Sequence, residues 1–356
     1  MSATEPHGAL PAPSGVTSDL NSKKTSLQNA YMAALIVMLV VPTITVFLRL
    51  YIKILIMKVF KLADVTCLIG FLNFIAEITL GFIFLNVGMG KHAWNVSVHS
   101  YARLAELLNI QQVIYMPAIL FTKLSILWQL FDIFVPFRTG RNSRWYSLNA
   151  LILLNIVFFT ILGFLEIFQC NPRTKIWDPT AKGTCININQ TFVATGVINV
   201  IDDFIILIIP LVWTWKLQLR LKQKIGVSLI FATGFFACLT SVMRLAMSIK
   251  SLDNPDISIS LAPVSLWAVA EVSAGLVVSC LPVIPRLFGG RSTKTRLAPN
   301  QPSGHSALLS NGKSQTTVAA SRDSSHSNIS FSRDLEGNHQ AYIMKSFSLD
   351  QTSDRI

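Results

Sequence analysis

NAYMAALIVMLVVPTITVFLRL, residues 29–50, carries no charged side chain until Arg49. About 20 mainly apolar helical residues cross a bilayer core, so this run is long enough to span one. In lipid it must be helical, because only a helix or a closed barrel satisfies every backbone N–H and C=O internally. Similar runs follow at 63–86, 108–133, 147–168, 192–213, 226–248 and 262–285. The composition agrees: 51% of residues are hydrophobic and 13% charged, with mean hydropathy +0.51, where a soluble domain carries about 25% charged residues. The fold class is therefore all-α, a polytopic membrane protein with a seven-transmembrane-helix bundle and disordered termini.

Outward from the bundle, residues 1–28 form a polar N-terminal segment with Pro11, Pro13 and Gly15 and no apolar stretch of the signal-peptide kind. The membrane domain is read as 29–286. Residues 287–356 are rich in Ser, Thr, Asn and Gln, with too little apolar surface to fold, and are expected to be a disordered tail.

Lys and Arg set the expected orientation. Arg49, Lys53, Lys58, Lys61, Arg138, Arg141, Arg144, Lys216, Arg220, Lys222, Lys224, Arg286, Arg291, Lys294 and Arg296 fall on one side. Lys23, Lys24, Lys91, Arg103, Arg173, Lys175, Lys182 and Lys250 fall on the other. Fifteen against eight makes the first side cytoplasmic, with the N-terminus outside. Sequons at Asn95 and Asn189 lie in outer loops, where glycosylation is open to them. Cys170 and Cys185 share one outer loop in oxidising surroundings and are expected to form a disulfide. Cys67, Cys238 and Cys280 lie within helices and read as small apolar residues. The net charge of +12 does not imply nucleic acid, because the basic residues sit in short loops facing anionic lipid. The lipid bilayer is the first partner. No zinc spacing, phosphate-cradling loop or nucleophile elbow is present.

Ionisable groups at bilayer depth are costly and mark function. The intramembrane polar candidates are Asp64, Glu77, Tyr115, Lys123, Asn199, Asp203, Arg244 and Glu271, with Glu166 and Asp202 beside them. Asp64 also suits a helix N-terminus next to Lys61. Glu166 and Arg244 suit structural pairing or snorkelling near helix ends. Lys123 lies deepest and needs a partner; Asp203 is first by depth and Asp202 second. Asn199 and Tyr115 are expected as hydrogen-bonding neighbours of that pair. Such a cluster serves either as a lock on helix register or as a ligand site or switch.

In order along the chain stand Leu62-Ala63-Asp64-Val65, Gly88-Met89-Gly90-Lys91-His92, and Tyr115 with Lys123 and Ser125. Cys170, Pro172, Trp177 and Cys185 follow, then Asn199, Asp203 and Pro210. Lys224, Phe231, Gly234, Ser241, Arg244, Trp267, Glu271 and Cys280-Leu281-Pro282 complete the series. This order resembles the fungal rhodopsin-like integral membrane family of the satratoxin-cluster type, over roughly residues 30–290. The family's second helix-two acid is replaced here by Val65, so a function needing both carboxylates is not expected. Retinal is not expected either, because a Schiff base needs a lysine and residues 262–285 contain none. No cofactor and no metal follow from the sequence.

Seven helices, an outer N-terminus, a disulfide-tied outer loop, basic inner loops and a phosphorylatable tail point to a receptor-like protein with an unknown small-molecule ligand, no catalytic residues and a cytoplasmic signalling partner. The family resemblance also includes members encoded in secondary-metabolite gene clusters. A second class is therefore a membrane enzyme, such as a cyclase of a lipophilic intermediate using Glu77 or Glu271 as acid. A transporter is less attractive, since no inverted repeat is visible.

Overall fold

A computed structural model describes residues 8–11, 15, 19, 25–135, 142–177, 180–215, 221–252, 254 and 256–284. The tail 287–356 and most of the segment 1–28 lie outside the described residues, as do Arg138, Arg141, Lys216, Arg220 and the basic residues from Arg286 onward.

The helices are α1 (Ser26–Tyr51), α2 (Leu62–Val87), α3 (Val98–Phe134), α4 (Ser143–Ile167), α5 (Ile188–Trp215), α6 (Leu221–Leu252) and α7 (Ile257–Cys280). Seven described spans are long and apolar enough to cross a membrane, so this is a multi-pass membrane protein in contact with the bilayer. Its surface confirms the solvent: Ile36, Val37, Ile44 and Phe47 on α1, and Leu153, Leu154, Ile161 and Phe164 on α4, are exposed. Polar side chains such as Gln111, Lys123, Asn155 and Glu271 are buried instead. That inversion suits a solvent of hydrocarbon.

α3 and α7 are the most enclosed spans. α7 packs on α1, α2, α3 and α6; α3 packs on α2, α4 and α7. Small residues allow the close approach, as in membrane bundles generally. Thr122 of α3 lies between Gly70 of α2 and Gly275 of α7. A Cβ at Gly70 would come within 3.0 Å of Thr122 Oγ1, and one at Gly275 within 2.6 Å of its Cγ2.

α3 begins ten residues before the expected start at 108. Residues 98–107 include His99, Arg103 and Glu106, so no apolar run marks them, yet Leu104 and Leu107 are buried one turn apart and carry the helix outward. Its 37 residues reach about 55 Å. α1 continues into a π-helical turn over Ile52–Met57, ended by Lys58 in the left-handed region. Arg49 and Lys53, expected as charges of the first loop, lie inside this extended helix and are buried. They are structural cations, and the loop begins nearer Lys58.

The two ends of the bundle are tied differently. At one end Thr25 and Gln28 form a capping box on α1. The same side chains donate to the carbonyls of Gly90 (3.0 Å) and Met89 (2.9 Å) in the α2–α3 loop. Gly88 and Gly90 sit at φ 115° and 82°, which glycine alone adopts readily. This is the structural content of the Gly-x-Gly-x-His segment. His92 Nδ1 meets Asp256 Oδ2 at 2.9 Å, and Ala93 N–H donates to the other Asp256 oxygen. At this end also lies a two-stranded hairpin, β1 (Cys170–Asn171) and β2 (Thr184–Cys185), closed by the Cys170–Cys185 disulfide. Arg173 joins it to Asn109 of α3 at 3.2 Å. Asn95 lies in a short 3-10 turn, its Oδ1 accepting from Asp19 N–H; the side chain of Asn189 lies outside the described residues.

Candidate functional site

Arg49 and Asp64 meet at the end of the bundle opposite the disulfide. Arg49 reaches Asp64 Oδ1 through Nε (3.0 Å) and Nη2 (2.8 Å). Its Nη1 donates to Gln129 Oε1 at 3.1 Å and to the Ser279 carbonyl. Lys53 lies 3.5 Å from Asp64 Oδ2, which also accepts the Lys61 N–H at 3.0 Å. Asp64 does sit at a helix N-terminus, as expected, but its main role is to neutralise a guanidinium tied to α3 and α7. One carboxylate faces two cations here, and all three side chains are buried.

The second constellation is in mid-bundle. Lys123 Nζ lies 2.8 Å from both Asp202 Oδ2 and Asp203 Oδ1, and donates to Asn199 Oδ1 at 2.9 Å. Adjacent residues on α5 thus share one ammonium, so the first and second expected partners are both partners. Asn155 of α4 donates to Asp202 Oδ1 at 3.0 Å. The Lys123 ammonium also lies 5.1 Å from the Phe159 ring centre, within cation–π range.

Tyr115 departs from its expected place beside Lys123. It donates instead to Glu271 Oε2 at 2.9 Å, because it sits two turns away along α3, facing α7. Arg244 Nε reaches the same oxygen at 2.7 Å and stacks 5.0 Å over the Tyr115 ring. Arg244 is therefore not a snorkelling residue: its counter-charge is in the core. Asn199 Nδ2 donates to Glu271 Oε1 at 2.6 Å and so bridges the two ion pairs. Ser241 Oγ contacts both Asp203 Oδ2 and Glu271 Oε1. A hydroxyl has one proton to donate. Both contacts are hydrogen bonds only when one of those carboxyls carries a proton.

The result is one connected network from α3 through α4, α5, α6 and α7. Tyr115, Lys123, Asn199, Asp203, Arg244 and Glu271 are brought together. Asp64 is not among them. Glu77 is also apart: it is fully buried, and neither oxygen has a hydrogen-bond partner among the described residues. Asn155 and Ser241 join the network as well, neither of them an expected member. The i, i+3 spacing of Asn199 and Asp202 and the i, i+4 spacing of Asn199 and Asp203 are visible signals; nothing in the sequence marks Asn155.

A cavity lies on each side of this network. One, of about 70 Å³, opens toward the Arg49 end and is lined by Lys123, Asp203 and Glu271 with Leu207, Pro210 and Gly275. The other, of about 50 Å³, opens toward the disulfide end and is lined by Gln111, Tyr115, Glu166 and Arg244 with Met116, Phe192 and Leu261. Glu166 departs from its expected structural pairing. Its carboxylate makes no hydrogen bond or ion pair with any described residue, and the residue lines this cavity. Its carbonyl accepts from Asn109 instead.

A seven-helix membrane protein with an ion-paired core is the class that this architecture defines. The chain belongs to the fungal rhodopsin domain family, whose model matches residues 48–290. It is 35% identical to an SAT4 family membrane protein of Emericella nidulans, over 72% of this chain and 60% of that protein. It is 30% identical to fugralins biosynthesis cluster protein 2 of Gibberella zeae, over 79% of this chain and 70% of that one. A more distant likeness, 24% over 33% of the chain and 42% of the relative, is to satratoxin biosynthesis SC1 cluster protein 4 of Stachybotrys chartarum. The chain thus spans less than two thirds of the SAT4 relative's length. No solved structure matches it.

Proposed function

We propose that this protein is a receptor-like sensor of a small molecule, working without retinal and serving a secondary-metabolite pathway. Its N-terminus and the disulfide hairpin face outside, and its tail faces a cytoplasmic signalling partner. The observation that carries the reading is the wall of ion pairs between two cavities. A ligand in the disulfide-end cavity touches Tyr115 and Arg244. Both hold Glu271, which is one hydrogen bond from Asn199 and Ser241, and these lead to Lys123 and Asp203 on the second cavity. A bound molecule that favours one arrangement of these pairs shifts the population of conformers at the other end. The pathway link comes from the relatives named for the fugralin and satratoxin clusters. Of the two acids named for a cyclase, Glu271 is held by Tyr115, Asn199 and Arg244, and Glu77 lines neither cavity.

The test uses purified full-length protein in nanodiscs, labelled through cysteines introduced at Lys58 and Ser143. Metabolites made by its genomic neighbours are added. A dose-dependent change in label separation, lost in Arg244→Lys, is the expected result. Conversion of any of these metabolites to product by the nanodisc protein would overturn the sensor reading in favour of an enzyme.

A further inference from the structure

The acid–base count of the central core is unequal. Glu77, Glu166, Asp202 and Glu271 are buried and Asp203 is partly buried, against the buried Lys123 and Arg244. The Arg49 end sets two cations on Asp64, but none of these groups lines either cavity of the central core. Uncompensated charge at this depth is costly, so an acid there takes up a proton or meets a cation. Asp202, Asp203 and Glu271 share the two core cations. Glu77 lines neither of the two cavities. Glu166 differs from all of these. It is 6% exposed, its carboxylate has no partner among the described residues, and it lines a cavity. The cation in that cavity's lining, Arg244, is already paired with Glu271 at 2.7 Å.

The same wall holds a second unmet polar atom. Gln111 accepts from Ser265 through Oε1 at 2.9 Å, and its buried Nε2 has no hydrogen-bond partner among the described residues. An unsatisfied donor in a low-dielectric site favours an incoming acceptor. Between these groups the wall is apolar, with Met116, Phe192 and Leu261.

We infer that this cavity binds a small, largely apolar amine, its ammonium on Glu166 and an oxygen acceptor on Gln111. The inference deepens the sensor reading and rests on it for the purpose of the site, but binding itself is measurable without any signalling. The ammonium supplies the charge that Glu166 lacks. The size of the cavity confines the ligand to a short chain, or to the amine-bearing end of a larger one.

The test is equilibrium binding to the full-length protein in nanodiscs, with three isosteres: 3-methoxypropylammonium, 3-methoxypropanol and 3-methoxypropionate. The ammonium should bind and raise the melting temperature, and the alcohol and carboxylate should bind at least about tenfold more weakly. Glu166→Gln should weaken the ammonium about 10- to 100-fold and leave the alcohol unchanged. Should Glu166→Gln fail to fold, Ala268→Leu fills the cavity while keeping the acid, and should abolish binding. Equal binding of the three isosteres, preference for the carboxylate, or no binding of the ammonium would overturn the inference. Binding of the ammonium without any label response at 58 and 143 would leave this site standing and sink the sensor reading. A label response to a neutral or anionic metabolite, with no ammonium binding, would do the reverse.

Discussion

Two buried ion sites in one bundle differ in balance and in access. At the Arg49 end, one carboxylate meets two cations, the guanidinium spends its remaining protons on Gln129 and a backbone carbonyl, and neither cavity beside the central network reaches it. In mid-bundle, three carboxylates meet two cations, one serine hydroxyl contacts two acids, and a cavity lies on each side. A closed, hydrogen-bonded pair holds helices in register. A network with an acid in excess has space beside it in which to rearrange. We propose a lock at one end and a responsive element in the middle.

The comparison breaks first at Asp64. Asp64→Asn leaves Arg49 buried without its main counter-charge, and the expected loss is about 5 kcal/mol, read as a collapse of monodisperse yield and melting temperature. Arg49→Met combined with Asp64→Leu should recover part of it, because the guanidinium is gone and Lys53 alone is left without its counter-charge. If the double variant is as poor as the single, the pair is not a simple lock. Next comes Lys123→Met, which leaves Asp202 and Asp203 side by side; about 3 kcal/mol is expected, less than at Asp64 because the cavity admits water. Adding Asp203→Asn should restore folded yield but not the ligand-dependent label response. Restored yield with an intact response would make the mid-bundle network a second lock. The smallest effect is expected at Glu77. Glu77→Gln keeps the shape and should change stability by less than about 1 kcal/mol in a melting experiment. A loss of several kcal/mol would show that Glu77 belongs to the charge balance of the network.

Much of the architecture is legible in the sequence, for a reason particular to lipid. A spanning helix must be long, apolar and internally hydrogen-bonded, and that demand is written in consecutive residues. The helix ends are less legible. α3 starts at Val98 because Leu104 and Leu107 find a core to enter, and no apolar run announces that. The disulfide is legible because two cysteines share one outer loop.

Which polar residues lie at bilayer depth is likewise a property of the sequence alone: a charge within an apolar run stands out without any knowledge of its neighbours. Their pairing is decided by the tertiary structure. Lys53 has the sequence position of a loop charge, but the π-helical turn carries α1 past it, and Tyr115 goes to Glu271 rather than to Lys123. Asn155 enters through the packing of α4 on α3, and Glu166 is left lining a cavity. Local sequence sets a residue's depth and helix face, whereas a charge's partner depends on the rotation and approach of helices far apart in the chain. That rotation follows from contacts such as Thr122 between Gly70 and Gly275, where the fit of small surfaces, rather than any single residue's chemistry, brings the charged groups within bonding distance.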